Sequence, residues 1–299
     1  MLAPRWYWHP YNRAGLYRIA ESLRWLPRGL RLTLAGRLGL LVVRFLPAER
    51  AAVRATLQVI TGASGARLEA LTAGVFRDFA MCFTDLISTN RQAAARLERY
   101  VDRVVGAEHL EDLSGGLVSV TAHLGNWELA GRLLAARSSR PTHVVVAPEE
   151  APELERWVRR DGDGMRFVPR ARPGVGVQLL AALRRGEVVA LQGDRAIGTR
   201  GDVTIPFFGR PAPFPLGPFL LARAAGVPVV PAFCVLDGGR RYAVHIAKPI
   251  AVERGDEEKA ARAWVELLER MVQTYPTQWF NFFDVWRPFD EPATSMVTS

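Results

Sequence analysis

From about residue 100 onward, β-branched runs alternate with stretches of helical spacing, and this alternation constrains the fold more than any other feature of the chain. The strand segments are 117–122, 142–147, 165–169, 187–192, 202–207, 228–236 and 241–247. Helical stretches 125–137, 151–160, 175–185 and 215–225 lie between them, and a long helix over 256–275 is closed by Pro276. Strands separated by helices can lie parallel, so the pattern predicts an α/β fold with a mainly parallel central sheet and helices on both faces.

Before residue 99 the pattern is different. Residues 51–60 and 64–90 read as helices, the second with Leu68, Leu71, Phe76, Phe79, Phe83 and Leu86 at helical spacing. Between 11 and 46, leucines recur among Arg18, Arg24, Arg28, Arg31, Arg37 and Arg44, with Trp6, Tyr7, Trp8 and Trp25 close by. Basic amphipathic helices with interfacial aromatics lie on anionic membranes. The competing reading is a helical layer packed on the main domain with its arginines in water. The expected division is an N-terminal helical, membrane-associating region, 1–98, and an α/β core, 99–299, in one compact body.

Composition narrows the function. Hydrophobic residues at 49% and charged residues at 23% provide a large core and argue against disorder. The net charge of +9 comes almost wholly from arginine, since the lysines are Lys248 and Lys259 alone. Such an excess suits an anionic partner: a phospholipid surface, a phosphorylated substrate or nucleic acid. No nucleic-acid-binding motif supports the last, and none is expected as a partner. The chain has no P-loop, no dinucleotide fingerprint, no His-Glu-x-x-His and no Gly-x-Ser-x-Gly elbow. Cys82 and Cys234 make neither a disulfide framework nor a zinc site, so a reducing setting and no metal are expected. No secretory signal is evident, and the apolar stretch 32–46 is interrupted by Arg37 and Arg44, short of the ~20 residues a span needs.

Chemistry concentrates at one strand end. The run Leu117-Val118-Ser119-Val120-Thr121 delivers His123 into a Gly125-Asn126 turn, with Glu128 in the first turn of the next helix. Asn126 is the expected N-cap. Helical side chains lean toward the N-terminus, so Glu128 points back toward His123 and is expected to orient it. Spacing alone equally allows Glu128 to serve only the helix end and His123 only to fill a turn. A second strand ends in Gly193-Asp194-Arg195, placing Asp194 and Arg195 on the same edge, or forming a turn with a local ion pair. A third runs through Phe207-Phe208-Gly209-Arg210, either an apolar channel with a cationic mouth or plain core. Arg156, Arg159, Arg160 and Arg166 form a cluster that suits phosphate or a solvated helix face. The aromatic segment 278–286 could dock on the core or cover the site.

Together these motifs resemble the late acyltransferases of bacterial lipid A synthesis, and they are similar to phosphatidylinositol mannoside acyltransferases. The likeness runs from Thr121-Ala-His-Leu-Gly-Asn-Trp-Glu-Leu129 through Gly193-Asp-Arg195 and Pro206-Phe-Phe-Gly-Arg-Pro211. It continues through Gly217–Arg223, Gly226–Pro231 and Tyr275-Pro-Thr-Gln-Trp279. The resemblance implies a glycerolipid-acyltransferase-like fold on the cytoplasmic face of the cytoplasmic membrane, peripheral or monotopic. It implies transfer of a fatty acyl chain from an acyl carrier protein or CoA thioester, a co-substrate and not a bound cofactor, to a glycolipid hydroxyl. His123 would be the base and Glu128 its partner. Arg159, Arg160, Asp194 and Arg195 would serve the oxyanion or phosphate groups. Asn126, Trp127, Phe207, Phe208, Gly209 and Arg210 would line the acyl or acceptor pocket. A lipid-binding protein without turnover is the alternative. The segment Trp279-Phe280-Asn281-Phe282-Phe283 lacks the histidine common in the family, and the acceptor stays open.

Overall fold

The computed structural model describes residues 22, 25–89, 92, 94–111, 113–138, 140–146, 164–196, 198 and 201–286. Three helices come first: α1 Arg28–Val42, α2 Pro47–Thr61 and α3 Gly65–Thr89. Pro47 opens α2, where a missing N–H costs nothing, and Gly62 closes it in the left-handed conformation. The alternating part follows as β1 Val101–Val105, β2 Leu117–Thr121, α4 Trp127–Ser138, β3 Thr142–Val146 and β4 Met165–Pro169. Then come α5 Val175–Arg184, β5 Val188–Gln192, β6 Asp202–Phe207, β7 Arg210–Pro215, α6 Gly217–Ala225, β8 Val229–Asp237, β9 Arg241–Ile246 and α7 Glu257–Thr274.

Seven strands make one sheet in the order β1-β9-β8-β2-β5-β3-β4. All neighbours are parallel except β8 and β9. The sheet is therefore mainly parallel, with helices on both faces, as the alternation predicts. Its inner strands are covered on both sides and read as nearly unbroken apolar runs. In β2, Val118 and Val120 enter a core with Phe207, Phe219, Trp264 and Leu268. Leu117 enters the opposite core with Leu57, Leu68, Leu129 and Phe280. Helices α5, α6 and α7 supply the first core, and α1, α2, α3 and α4 the second.

Two strands escape the sequence pattern. β1 carries Asp102 and Arg103 because it is an edge strand, and its period-two signal is weak. β7 contains Pro211, Pro213 and Pro215, pairs only with β6, and stands apart from the large sheet. Prolines two apart place every missing N–H on one side of the strand, and a two-stranded ribbon has an outer side to spare. The expected helix 151–160 lies outside the described residues.

Candidate active site

Parallel register builds the site. β2 and β5 are paired so that Thr121 stands opposite Gln192. Two residues beyond each, His123 and Asp194 therefore leave the carboxyl edge of the sheet side by side. That edge is where open α/β sheets carry their ligands. His123 Nδ1 lies 2.8 Å from Asp194 Oδ1, and the His123 backbone N–H donates to Oδ2 at 3.0 Å.

Asp194 is fully buried and takes two further bonds, from Trp279 Nε1 at 2.9 Å and Asn281 Nδ2 at 3.3 Å. Burial is the largest single influence on its carboxyl and pushes the pKa up. The charge and hydrogen bond of His123, the charge of Arg195 and the Trp279 bond outweigh it and hold the group well below the usual carboxylate range. An ionised carboxylate only accepts, so Nδ1 carries a proton, and in the neutral ring the lone pair is on Nε2. That is the tautomer of a general base. The ring is 13% exposed and meets the Trp127 ring edge-on at 4.9 Å between centroids.

The turn that carries His123 is held from three directions. Phe280 N–H donates to His123 O at 2.8 Å, Gly125 N–H to Gln278 O at 2.9 Å, and Asn126 N–H to Cys234 O at 2.7 Å. Gly125 has φ +64°, and a Cβ there would lie 2.2 Å from Cys234 O, so the turn admits only glycine. Asn126 caps α4 as expected: Oδ1 accepts the Leu129 N–H at 3.2 Å. Its Nδ2 donates to Cys82 O and to Tyr242 Oη, and the Tyr242 hydroxyl donates to Asp85, which Arg28 of α1 also binds, at 2.6 Å from Nη2. The N-terminal helices are thus tied to the turn through a buried polar chain. Cys82 and Cys234 are free and buried, and burial pushes both thiols up, so neither offers a thiolate.

Beside Trp127 opens an apolar cavity of about 80 Å³ between α4 and the sheet. Trp127, Glu128, Thr121 and Gln192 line it near the strand ends, and Val144, Leu133 and Met165 line it further in. The Thr121 hydroxyl is buried and has no hydrogen-bond partner among the described residues.

Several expected roles change. The carboxylate on His123 Nδ1 is Asp194, not Glu128: register sets Asp194 directly beside the ring, whereas Glu128 lies on the cavity wall. Asp194 is accordingly no phosphate ligand, since a buried anion that accepts four N–H groups repels another anion. Arg195 turns to the C-terminal segment, with Nε donating to Asn281 Oδ1 and Nη2 to Phe280 O, both at 2.8 Å. Asn126 is a buried cap and not a pocket wall. Phe207 is fully buried in core, against Trp279, Phe214 and Trp286. Phe208 and Gly209 form the β6–β7 turn and Arg210 opens β7; Phe208 N–H binds Glu269 and Arg210 stacks on Trp286. None of these four lines the cavity. Of the arginine cluster, Arg156, Arg159 and Arg160 lie outside the described residues, and Arg166 is exposed on β4. Trp279 and Asn281 are the site residues that spacing misses; the aromatic density of 278–286 was their signal.

Fold and site together define a class: a mainly parallel α/β sheet whose carboxyl edge holds a His–Asp pair, its carboxylate buried, with His123 against Trp127 on the wall of an apolar cavity. More narrowly, the chain belongs to the bacterial lipid A biosynthesis acyltransferase family, whose profile matches residues 12–288. It is 31% identical over 201 residues to the phosphatidylinositol mannoside acyltransferase of Mycobacterium tuberculosis (strain CDC 1551 / Oshkosh), covering 64% of this chain and 62% of that one. To the lipid A biosynthesis lauroyltransferase of Escherichia coli K12 it is 27% identical over 195 residues, 62% and 61% of the two chains. The matches thus span less than two thirds of the length of these relatives. The 1-acyl-sn-glycerophosphate acyltransferase of Thermotoga maritima superposes with a TM-score of 0.41 at 16% identity, over 84% of this chain and 100% of that one.

Proposed function

We propose that the protein transfers a fatty acyl chain from a thioester, on acyl carrier protein or CoA, to a hydroxyl of a glycolipid. The observation that carries this reading is the 2.8 Å contact of His123 Nδ1 with buried Asp194, beside an apolar cavity. His123 Nε2 takes the acceptor hydroxyl proton as that oxygen bonds to the thioester carbonyl carbon. The electron pair of the carbonyl moves to oxygen, then returns as the C–S bond breaks. The leaving thiolate takes the proton from Nε2, so atoms and charge balance and no acyl-enzyme forms. Asp194 stabilises the imidazolium between the two proton transfers. Glu128 stands on the wall of the same cavity. The cavity takes the acyl chain.

The same reading places the protein on the cytoplasmic face of the cytoplasmic membrane as a peripheral protein. Its support is α1. Arg31, Leu32, Ala35, Gly36 and Gly39 are its buried face, yet Leu30, Leu34, Leu38 and Leu41 form an outward stripe, 44–58% exposed, continued by Phe45. Arg37 and Arg44 are exposed beside it. Completing the burial of such half-covered leucines in lipid is worth roughly 1 kcal/mol each, and the arginines suit anionic headgroups. Among the described residues no helix is long and apolar enough to cross a membrane.

The test is transfer of labelled acyl groups to a lipid extract by the whole protein and by His123→Ala. Transfer by the native protein and at least a thousandfold loss in a folded variant support the reading. Bound acyl chains without turnover by the native protein would leave a lipid-binding protein instead. Vesicle co-sedimentation of Leu34→Glu/Leu38→Glu reads the membrane face separately, and undiminished binding to anionic vesicles would remove it.

A further inference from the structure

Asp85 lies on the inner face of α3, 1% exposed, and its carboxylate is the hub of a buried polar chain. Arg28 of α1 donates to it from Nε at 3.1 Å to each oxygen and from Nη2 at 2.6 Å, and the Tyr242 hydroxyl donates at 2.9 Å. Stability does not account for such an ion pair, because apolar residues of similar volume in its place are often neutral or stabilising. Nor is Arg28 turned to a lipid headgroup. Its Nη1 donates to Arg240 O at 2.6 Å, and its guanidinium carbon lies 4.6 Å from the Tyr100 ring centre.

The chain runs from Asp85 toward the site. Tyr242 on β9 is wholly buried, and burial, with Cys82 and Asp85 nearby, pushes its hydroxyl well above the ordinary pKa, so the proton stays on. That proton goes to Asp85, which leaves the oxygen to accept from Asn126 Nδ2 at 3.1 Å. The amide has one consistent orientation, since the Leu129 N–H needs an acceptor and Cys82 O needs a donor. Gly125, before Asn126, belongs to the turn that carries His123. Trp127, after it, sets its ring against the imidazole, 4.9 Å between centroids. A phenylalanine at 242 would fill the same space. It would leave the cap, the Cys82 bond and the Arg28–Asp85 pair in place, and remove only the oxygen that holds Asn126 from the far side.

We propose that Tyr242 and Asp85 are positioning residues for acyl transfer, fixing the Asn126 amide and through it the Trp127 ring on which the His123 imidazole rests. Neither lines the cavity. The proposal rests on the acyl-transfer reading above, and its test separates the two. The native protein, Tyr242→Phe and Arg28→Met/Asp85→Val are compared by thermal melting and by kcat and KM for labelled acyl thioesters with a lipid extract. NMR follows the His123 imidazole nitrogens and the contact of that ring with the Trp127 indole. The double variant exchanges the buried charges for apolar side chains, so it should melt close to the native temperature while Tyr242 loses its acceptor. In both variants kcat should fall roughly ten- to a hundredfold at unchanged KM, because a displaced base slows the chemistry without weakening binding. The imidazole signals and the indole contact should shift with it. Native kcat in either folded variant overturns the proposal, and so does a loss carried by KM alone, or by kcat with native imidazole and indole signals. If Tyr242→Phe does not fold, the double variant decides. If the native protein transfers no acyl group, the acyl-transfer reading falls alone, and the imidazole and indole signals still decide whether Tyr242 and Asp85 set the ring.

Discussion

Replacing Asp194 by asparagine tests the heart of the site, because it keeps the shape and removes only the charge. The native carboxylate accepts four N–H groups, from His123 twice, Trp279 and Asn281. In Asp194→Asn one oxygen remains. Placed at the Oδ2 position it keeps the His123 backbone, Trp279 and Asn281 bonds, and the new NH₂ then faces His123 Nδ1. Two donors cannot share that gap. The imidazole must present a lone pair at Nδ1, which moves its proton to Nε2 and abolishes the base. In the serine-protease triad this tautomer error costs about 10⁴ in kcat, and the same order is expected here. Stability should fall less, by about 1–3 kcal/mol, because lost charge-assisted bonds are partly offset by the relief of a buried charge. The pH dependence has a definite sign. The folded pKa of Asp194 is depressed, so its contribution is present above the usual carboxylate range and is lost as pH falls below about 4 toward the folded value. The variant should lack that part of the acid limb. Rates at neutral pH, urea melts from pH 7 down to about 3.5, and imidazole ¹⁵N shifts together check the argument. A variant that keeps a tenth of the native rate, or that retains the proton on Nδ1, would refute it.

Two further perturbations probe the surroundings. Trp279→Phe keeps a ring on Phe207 but removes the Nε1 donor to Asp194; losing a hydrogen bond to a charged group should cost about 1.5–3 kcal/mol in urea melts and lower the rate with it. Gly125→Ala should destabilise by about 2–4 kcal/mol, from positive φ and from the clash with Cys234 O, seen as a lower melting temperature with the sheet still formed.

Much of the fold is legible because the inner strands of a parallel sheet are apolar on both faces and their helices keep strict spacing. β1 and β7 are not, since an edge strand tolerates Asp102 and Arg103, and a ribbon with a free side tolerates three prolines. At the site, His123 and the cap Asn126 follow from local rules that act over three or four residues. The partner of His123 does not. Asp194 is 71 residues away, and only the Thr121–Gln192 register joins the two. Helix geometry favours Glu128 because it sees neighbours in sequence; strand pairing decides for Asp194. Phe207 misleads for a related reason: an apolar residue at a strand end reads alike whether it lines a channel or supports a tryptophan.

The segment from Gln278 to Asn281 fixes the order in which the molecule can become competent. His123 leaves the ribosome more than 150 residues before Trp279 and Asn281 do, and Asp194 more than 80 before. Until that segment is made, the carboxylate has no indole and no amide from it, and the His123 and Gly125 backbones lack Phe280 and Gln278. The sheet edge can exist on a nascent chain, but its base is not yet set. A chain that stops before residue 278 still carries His123 and Asp194, but lacks the Trp279 and Asn281 donors to the carboxylate and the Phe280 and Gln278 bonds to the turn. Synthesis of residues 278–281 is thus the step that completes the shell around the His123–Asp194 pair.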